Sequence, residues 1–180
     1  MPISLLKPTL NELPAYVDAL KRGWSRDNVH GKTAADEQLG GIEKSPDKFV
    51  AGHDDPDAKG PPVTLPDGTV VQRLPGLARW IWDGEFCGAI NLRWQAGTSE
   101  LPPHVLGHIG YSVVPWKQGR GYATEALKLL LPDARTRGLD FVELTTDPDN
   151  IPSQKVITSN GGYLLERFKK VAAYGGKESL

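Results

Sequence analysis

Apolar residues recur along this chain with two periods, and the switches between those periods mark its elements. Over residues 104–114, Val105, Gly107, Ile109, Tyr111 and Val113 alternate with Leu106, His108, Gly110, Ser112 and Val114. This period of two is what a half-buried strand requires. Pro115 ends the alternation and a glycine-broken loop follows. After the loop, Ala123, Ala126, Leu127, Leu130, Leu131 and Ala134 repeat at helical spacing, predicting a helix from near Gly121 to a stop at Gly138. Pro132 lies inside that helix and removes a hydrogen bond to the Lys128 carbonyl, so a kink or weakening is expected there.

The flanking pattern is equally readable. Residues 3–6 suit a short first strand, and Leu10, Leu13, Val17 and Leu20 share one side of a helix over residues 10–24, with Pro14 in its first turn. Thr33-Ala-Ala-Asp36 and Ser45-Pro46-Asp47 are two helix-start signals. Residues 52–76 are dense in Asp, Pro and Gly, predicting loop with one short strand over residues 69–73. A hairpin follows, with strands over residues 77–82 and 85–94 joined by Asp83-Gly84 as a two-residue turn. In its second strand Phe86, Gly88, Ile90, Leu92 and Trp94 should share one face, and Cys87, Ala89 and Asn91 the other. A strand over residues 141–146, a helix over residues 151–160 capped by Asp149 or Asn150, and a strand over residues 163–169 complete the reading.

Composition narrows the class. The 180 residues suit one domain, with residues 28–76 as a variable excursion, and 39% hydrophobic with 24% charged residues is ordinary for a globular protein. A formal charge of -1 argues against nucleic acid or membrane as a partner held by bulk electrostatics. No apolar run is long enough to cross a membrane and the N-terminus does not read as a signal peptide, so a cytoplasmic protein is expected. A single cysteine, Cys87, excludes an internal disulfide and a cysteine zinc cluster. That thiol suits either an acyl-carrying nucleophile or a small buried hydrophobe, and no neighbouring residue activates it. His53-Asp54-Asp55-Pro-Asp57 invites a metal, yet nothing at ligand spacing answers it, and solvated acids are the simpler reading.

The loop between strand and helix carries the most specific chemistry. Gly119 and Gly121 allow close backbone approach, the helix start offers free N–H groups, and Lys117 and Arg120 add positive charge, a combination suited to a pyrophosphate. Neither the Walker nor the Rossmann glycine pattern is complete, which disfavours a nucleotide-phosphate binder.

The string Gln118-Gly-Arg-Gly-Tyr-Ala123 resembles the Q/R-x-x-G-x-G/A loop of the GNAT N-acetyltransferases, a family that binds acetyl-coenzyme A. Asn150-Ile-Pro-Ser153 followed by Gly161-Gly162 resembles the family's Asn-x-x-Ser/Ala helix, and the strand G-H-I-G-Y-S-V places the likeness in one branch. It spans about residues 77 to 176. The resemblance implies an α/β fold with a splayed mixed sheet flanked by helices, acetyl-CoA as co-substrate without a metal, and a small-molecule or peptide amine as acceptor. It also implies roles. Backbone groups at Val113 and Val114 would pair with the pantetheine. Those of Gln118, Gly119, Arg120, Gly121, Tyr122 and Ala123, with the Thr124 hydroxyl, would hold the pyrophosphate. Asn150 and Ser153 would contact the pantetheine or adenosine-side phosphates, although Asn150 would serve equally as a helix cap.

Direct attack by an amine needs a base, and His108 is the candidate because the small residues Gly110 and Ser112 should clear its strand face; hydrogen bonding within the sheet is the alternative. Glu100 and His104 stand behind it. Family members place a tyrosine four residues after the Ser/Ala, where this chain has Ile157, which leaves the acid to Tyr111 or Tyr163. Without that tyrosine a non-catalytic coenzyme A-binding module is the alternative function. The family's last strand is cut short here, with residues 177–180 remaining, so a truncated sheet or a homodimer completing it is expected.

Overall fold

The computed structural model describes residues 2–180. Its framework is an antiparallel sheet in the order β1 (Ser4–Leu6), β5 (Gly76–Trp82), β6 (Phe86–Arg93), β7 (Ile109–Val113), with β2 (Asp54–Asp55) also pairing β5. Helices α1 (Leu13–Lys21), α2 (Gly31–Lys44) and α3 (Pro46–Ala51) cover one face, and α4 (Tyr122–Thr136) covers the other. A small hairpin, β3 (Val63–Thr64) with β4 (Val70–Val71), closes through the Pro66-Asp67-Gly68 turn. The helix α5 (Ile151–Ser159) packs on α4, and β8 (Phe168–Lys169) pairs β9 (Glu178–Ser179).

Two apolar clusters follow from this layering. On the α4 side, Ile81, Ile90, Leu92 and Ile109 meet Ala126, Leu127 and Leu130. On the other side Tyr16, Trp24, Trp80 and Phe86 form an aromatic nest around Ala89 and Val114, with Tyr16 and Trp80 stacked 5.0 Å apart. Burying each such side chain contributes about 1.5–3 kcal/mol, so both faces of the sheet are anchored.

Several expectations change. The hairpin loop has three residues, because Trp82 pairs with Phe86. Cys87 is an extra residue in β6: Ile81 pairs with Gly88 and Trp82 with Phe86, leaving Cys87 unopposed. Gly88 absorbs the bulge at φ 146°, where a Cβ would lie 2.2 Å from the Ser112 carbonyl oxygen. The alternation therefore resets, and Cys87 joins Ile90 and Leu92 while Ala89 joins Trp80. β7 begins at Ile109 rather than residue 104. α2 starts at Gly31, which puts Thr33 inside the helix instead of at its cap. Pro132 is accommodated within a helix that runs on to Thr136.

Residues 141–146 do not join the sheet, bonding to it only at Glu143, whose carbonyl accepts from His108 N–H, so the strand pairs among the described residues are antiparallel only. Of residues 163–169 only Phe168–Lys169 is strand, and Tyr163, Leu164 and Leu165 are exposed. The final residues are not idle: Leu180 and Thr146 exchange both backbone hydrogen bonds, and buried Ser179 donates its Oγ to the Thr146 carbonyl. The acidic run after His53 is structural. Asp54 pairs with Arg79 and Lys7, Asp55 accepts from the Lys59 and Gly60 N–H groups, and no metal-ligand cluster occurs among the described residues. No helix among them is long and apolar enough to cross a membrane.

Candidate active site

The loop between β7 and α4 is held in shape from below. Residues Pro115–Lys117 make a single 3-10 turn, after which Gly119 and Gly121 take φ 74° and 77°, the left-handed region that favours glycine. Two left-handed residues in three turn the chain so that α4 begins at Tyr122 with its N-terminus facing outward.

Six consecutive backbone N–H groups, from Gly119 to Thr124, have no acceptor among the described residues. The first helical bond in this region is Glu125 N–H to the Gly121 carbonyl. Orphan donors at a helix N-terminus, added to the positive end of its dipole, form an anion cradle. Gly119, Arg120 and Gly121 are exposed and Thr124 is half-buried with its hydroxyl unengaged, so the cradle is open to a ligand. Gln118 is turned inward: its Nε2 donates to the Val113 carbonyl at 3.1 Å.

Lys117 is not the free cation expected from sequence. Its Nζ lies 2.7 Å from Asp83 Oδ1 and 3.0 Å from Glu85 Oε2, and its side chain is 7% exposed. Tyr122 donates its hydroxyl to the other oxygen, Asp83 Oδ2, at 2.6 Å. Burial alone would raise the Asp83 pKa, but the hydrogen bonds from Lys117 and Tyr122 hold it well below the carboxylate range. The ion pair correspondingly holds Lys117 above its ordinary value despite burial. Asp83, read from sequence only as a turn residue, is thus the post that ties Lys117, before the cradle, to Tyr122 within it. Its turn position carried no sign of that role. Arg120 is the remaining cation, exposed and bonded only to the Trp116 carbonyl.

The β7 edge beside the cradle is open. The His108 carbonyl accepts from Arg93 N–H and the Val114 N–H donates to the Cys87 carbonyl, and by the register between them Gly110 and Ser112 also direct their backbone groups to β6. By the alternation of an antiparallel ladder, Ile109, Tyr111 and Val113 direct theirs away from β6. Val113 therefore points away from β6, with its carbonyl accepting from Gln118 Nε2, whereas, contrary to expectation, the Val114 N–H points to β6. Toward the start of β7 the neighbouring segment is pinned by His108 N–H to the Glu143 carbonyl at 2.7 Å. Beyond that point no backbone hydrogen bond joins β7 to residues 144–147 among the described residues, so this edge of β7 carries no strand partner toward the cradle.

On the far side of the gap Asn150 caps α5, accepting from Ser153 N–H at 3.2 Å, and Ser153 Oγ lies 2.8 Å from the Tyr111 hydroxyl. Burial raises the Tyr111 pKa, which keeps its proton in place. Asn160, which sequence reasoning passed over, ties α5 to the cradle by donating to the Thr124 carbonyl at 3.1 Å.

His108 does not line a cleft. It is fully buried, and its Nδ1 accepts the Glu143 N–H at 2.9 Å, which places the ring proton on Nε2. Burial lowers its pKa. With its one lone pair engaged it has no basic nitrogen to offer an amine, and the room expected beside it is filled, since Ser112 Oγ bonds Trp24 Nε1 and the Ser25 carbonyl. The sequence argument for His108 as base fails on this geometry. Cys87 is fully buried, and burial pushes its thiol up to about 11, the reverse of an activated nucleophile. Tyr163 is 80% exposed, leaving Tyr111 as the hydroxyl at the gap.

Solved structures share this fold. Mycobacterium smegmatis RimJ in complex with CoA-disulfide superposes with a TM-score of 0.60 at 19% identity, covering 99% of this chain and 79% of that one. The microcin C7 self-immunity acetyltransferase MccE, in complex with acetyl-CoA and AMP, gives 0.59 at 15% identity over 98% of this chain and 88% of that one. RimL, a ribosomal L7/L12 alpha-N-protein acetyltransferase bound to coenzyme A, gives 0.58 at 15% identity over 98% and 90%. No curated protein sequence matches. These likenesses establish the fold. The sequence itself matches the GNAT acetyltransferase domain over residues 71–162, just over half of the chain and the part containing the cradle, the open edge and the α5 cap. A glycine-shaped cradle beside a divided sheet, inside a stretch that matches that domain, leads to one assignment: the chain belongs to the GNAT family of acetyltransferases.

Proposed function

We propose that this protein is an acetyl-CoA-dependent N-acetyltransferase whose acceptor is a primary amine of a small molecule or peptide. The observation that carries the reading is the run of six unpartnered N–H groups from Gly119 to Thr124 beside an open strand edge. The donor's diphosphate matches the cradle in charge and hydrogen-bonding need. Its amide-bearing arm matches the outward backbone groups of Ile109, Tyr111 and Val113, which it would pair as an added strand does. Gln118, Arg120, Tyr122 and Ala123 shape the cradle, Thr124 adds a hydroxyl, and Asn150 and Ser153 border the arm. Of these, Asn150 acts through the α5 cap and Tyr122 through Asp83.

The chemistry is direct transfer. The amine nitrogen bonds to the thioester carbonyl carbon, the carbon–sulfur bond breaks, and the sulfur leaves as thiolate. The ammonium proton passes to water lining the site before attack, since an alkylamine with pKa of about 10 is otherwise protonated. Tyr111, held by Ser153 and kept protonated by burial, is the group suited to give a proton to the thiolate, and the second proton shed by the nitrogen as the amide forms restores its hydroxyl. Residues from Trp24 to Asn160 contribute, so the reading takes the chain as one domain.

Calorimetry with acetyl-CoA, coenzyme A and ATP tests the donor. The expected result is binding of both coenzyme forms and not of ATP; tighter ATP binding overturns it. Thiol release across an amine panel then tests turnover. Cofactor binding with no release from any amine would instead favour a coenzyme-binding module.

A further inference from the structure

A cavity of about 210 Å³ lies on the α1–α3 side of the sheet, at the end of β6 farthest from the cradle. Its wall carries Arg26, Arg73 and Arg93 against one carboxylate, Asp55. Asp55 is already engaged, accepting from two backbone N–H groups at 2.7 and 2.8 Å with Arg73 nearby. Arg26 and Arg93 have no carboxylate within 4.0 Å among the described residues. Arg93 spends only its Nε–H, on the Gly107 carbonyl at 3.0 Å, and burial lowers its pKa. Its two terminal nitrogens, four N–H donors in a fixed fork, are uncommitted. Two half-buried guanidiniums sharing a wall without counter-charge are costly unless an anion answers them.

A second orphan stands in the same wall. His53 is 7% exposed, and its Nδ1–H donates to the Phe49 carbonyl at 2.9 Å, so Nε2 presents a bare lone pair with no partner. Burial, with the Arg26 charge beside it, pushes its pKa down to about 4, so it stays neutral and adds no positive charge. A group accepting on one side and donating on the other is what these walls lack.

The cavity also has a route to the donor. Asn91, Leu92 and Arg93 pair with Gly110, Ile109 and His108 at the start of β7, whose far edge is pinned at His108 and carries no backbone pairing to residues 144–147 beyond it among the described residues. Gly110 puts no side chain between: a Cβ there would meet Asn91 Oδ1 at 3.2 Å. Two strand spacings of about 4.8 Å each, from β6 to β7 and from β7 to an added strand, separate the cavity wall from the line of the donor's arm.

Resting on the acetyltransferase reading above, we propose that this cavity seats the acceptor, and that the acceptor is a small amine carrying an acidic group, carboxylate or phosphate, gripped by Arg93 and Arg26. A volume below the roughly 300–1,000 Å³ of drug-sized pockets suits a compact molecule or a short terminus.

The test uses matched amines at saturating acetyl-CoA: aspartate, β-alanine and O-phosphoethanolamine against the diamide of aspartate, β-alaninamide and ethanolamine. At least one acidic member should exceed its neutral partner by tenfold or more in kcat/KM, and the carboxylate and phosphate arms identify which acid is preferred. In Arg93→Gln and Arg26→Gln that preference should fall at least tenfold, with the neutral amines and acetyl-CoA affinity unchanged. Calorimetry of the same acids on the wild-type, acetyl-CoA-loaded protein gives an answer independent of turnover and of how the variants fold. Equal kcat/KM for acidic and neutral amines, or no binding of any acid, overturns the proposal. Loss of acetyl-CoA binding itself would instead overturn the donor reading, so the two failures are distinct.

Discussion

Asp83→Ala should disable the cradle without touching it. In the wild-type protein this carboxylate, 5% exposed, holds both Lys117 and Tyr122, at 2.7 and 2.6 Å. Removing one partner of a buried pair costs about 3–5 kcal/mol, mostly from stranding the other charge. Lys117 keeps Glu85 at 3.0 Å, but that glutamate is 80% exposed, so the expected cost sits near the lower end at about 3 kcal/mol. In a domain of this size that is a fall in Tm of roughly 6–12 °C. Because Lys117 lies just before the six free N–H groups and Tyr122 among them, acetyl-CoA affinity should weaken about tenfold, or about 1.4 kcal/mol, from lost preorganisation. Thermal denaturation and calorimetry read the two quantities, with Glu85→Ala as the control expected to lose less than about 1 kcal/mol. The pH dependence has a definite sign. A depressed folded-state pKa gives Asp83 a stabilisation that is complete above its unfolded value near 3.9 and lost as pH falls through the folded one. The stability gap between wild type and variant should therefore be flat near neutrality and close only below about pH 4. A variant no less stable than Glu85→Ala, with unchanged donor affinity, would refute the tether.

Gly121→Ala, forced to φ 77°, should lose about 1 kcal/mol of stability, while Gly121→Glu adds a charge near the diphosphate and should weaken acetyl-CoA by at least a further tenfold in calorimetry; equal affinities for the two would contradict the cradle. His108→Ala should lower Tm through the lost strap to Glu143, yet keep kcat per folded molecule within about threefold; a loss of roughly 100-fold or more would restore it as the base. Cys87, with its pKa pushed up to about 11, should resist alkylation at pH 8 in the folded protein and react at once in denaturant.

Local signals survived folding wherever a residue's neighbours in sequence are also its neighbours in space. The left-handed Gly119 and Gly121, the start of α4, the stop at Gly138 and the Asn150 cap all act within four residues of themselves. Long-range pairings did not show. The period-two rule put Cys87 with Ala89 because a bulge adds a residue that no composition announces. Lys117 looked like a free cation because its counter-ion Asp83 is distant in the chain and already accounted for by a turn. His108 seemed to face space because Ser112 is small, whereas that space belongs to Trp24 and Ser25, nearly ninety positions earlier. The arginine-walled cavity is assembled from residues as distant as Arg26 and Tyr174, and no window of sequence contains it.

The division of the interior into two clusters has a consequence for how such a protein can change. The sheet works as a bulkhead: the compartment behind α4 shares few side chains with the one behind α1–α3. Substitutions more than about 7–10 Å apart with no shared partners combine nearly additively. Residues that choose the cargo can therefore drift on one side of the bulkhead while the grip on the carrier stays intact on the other.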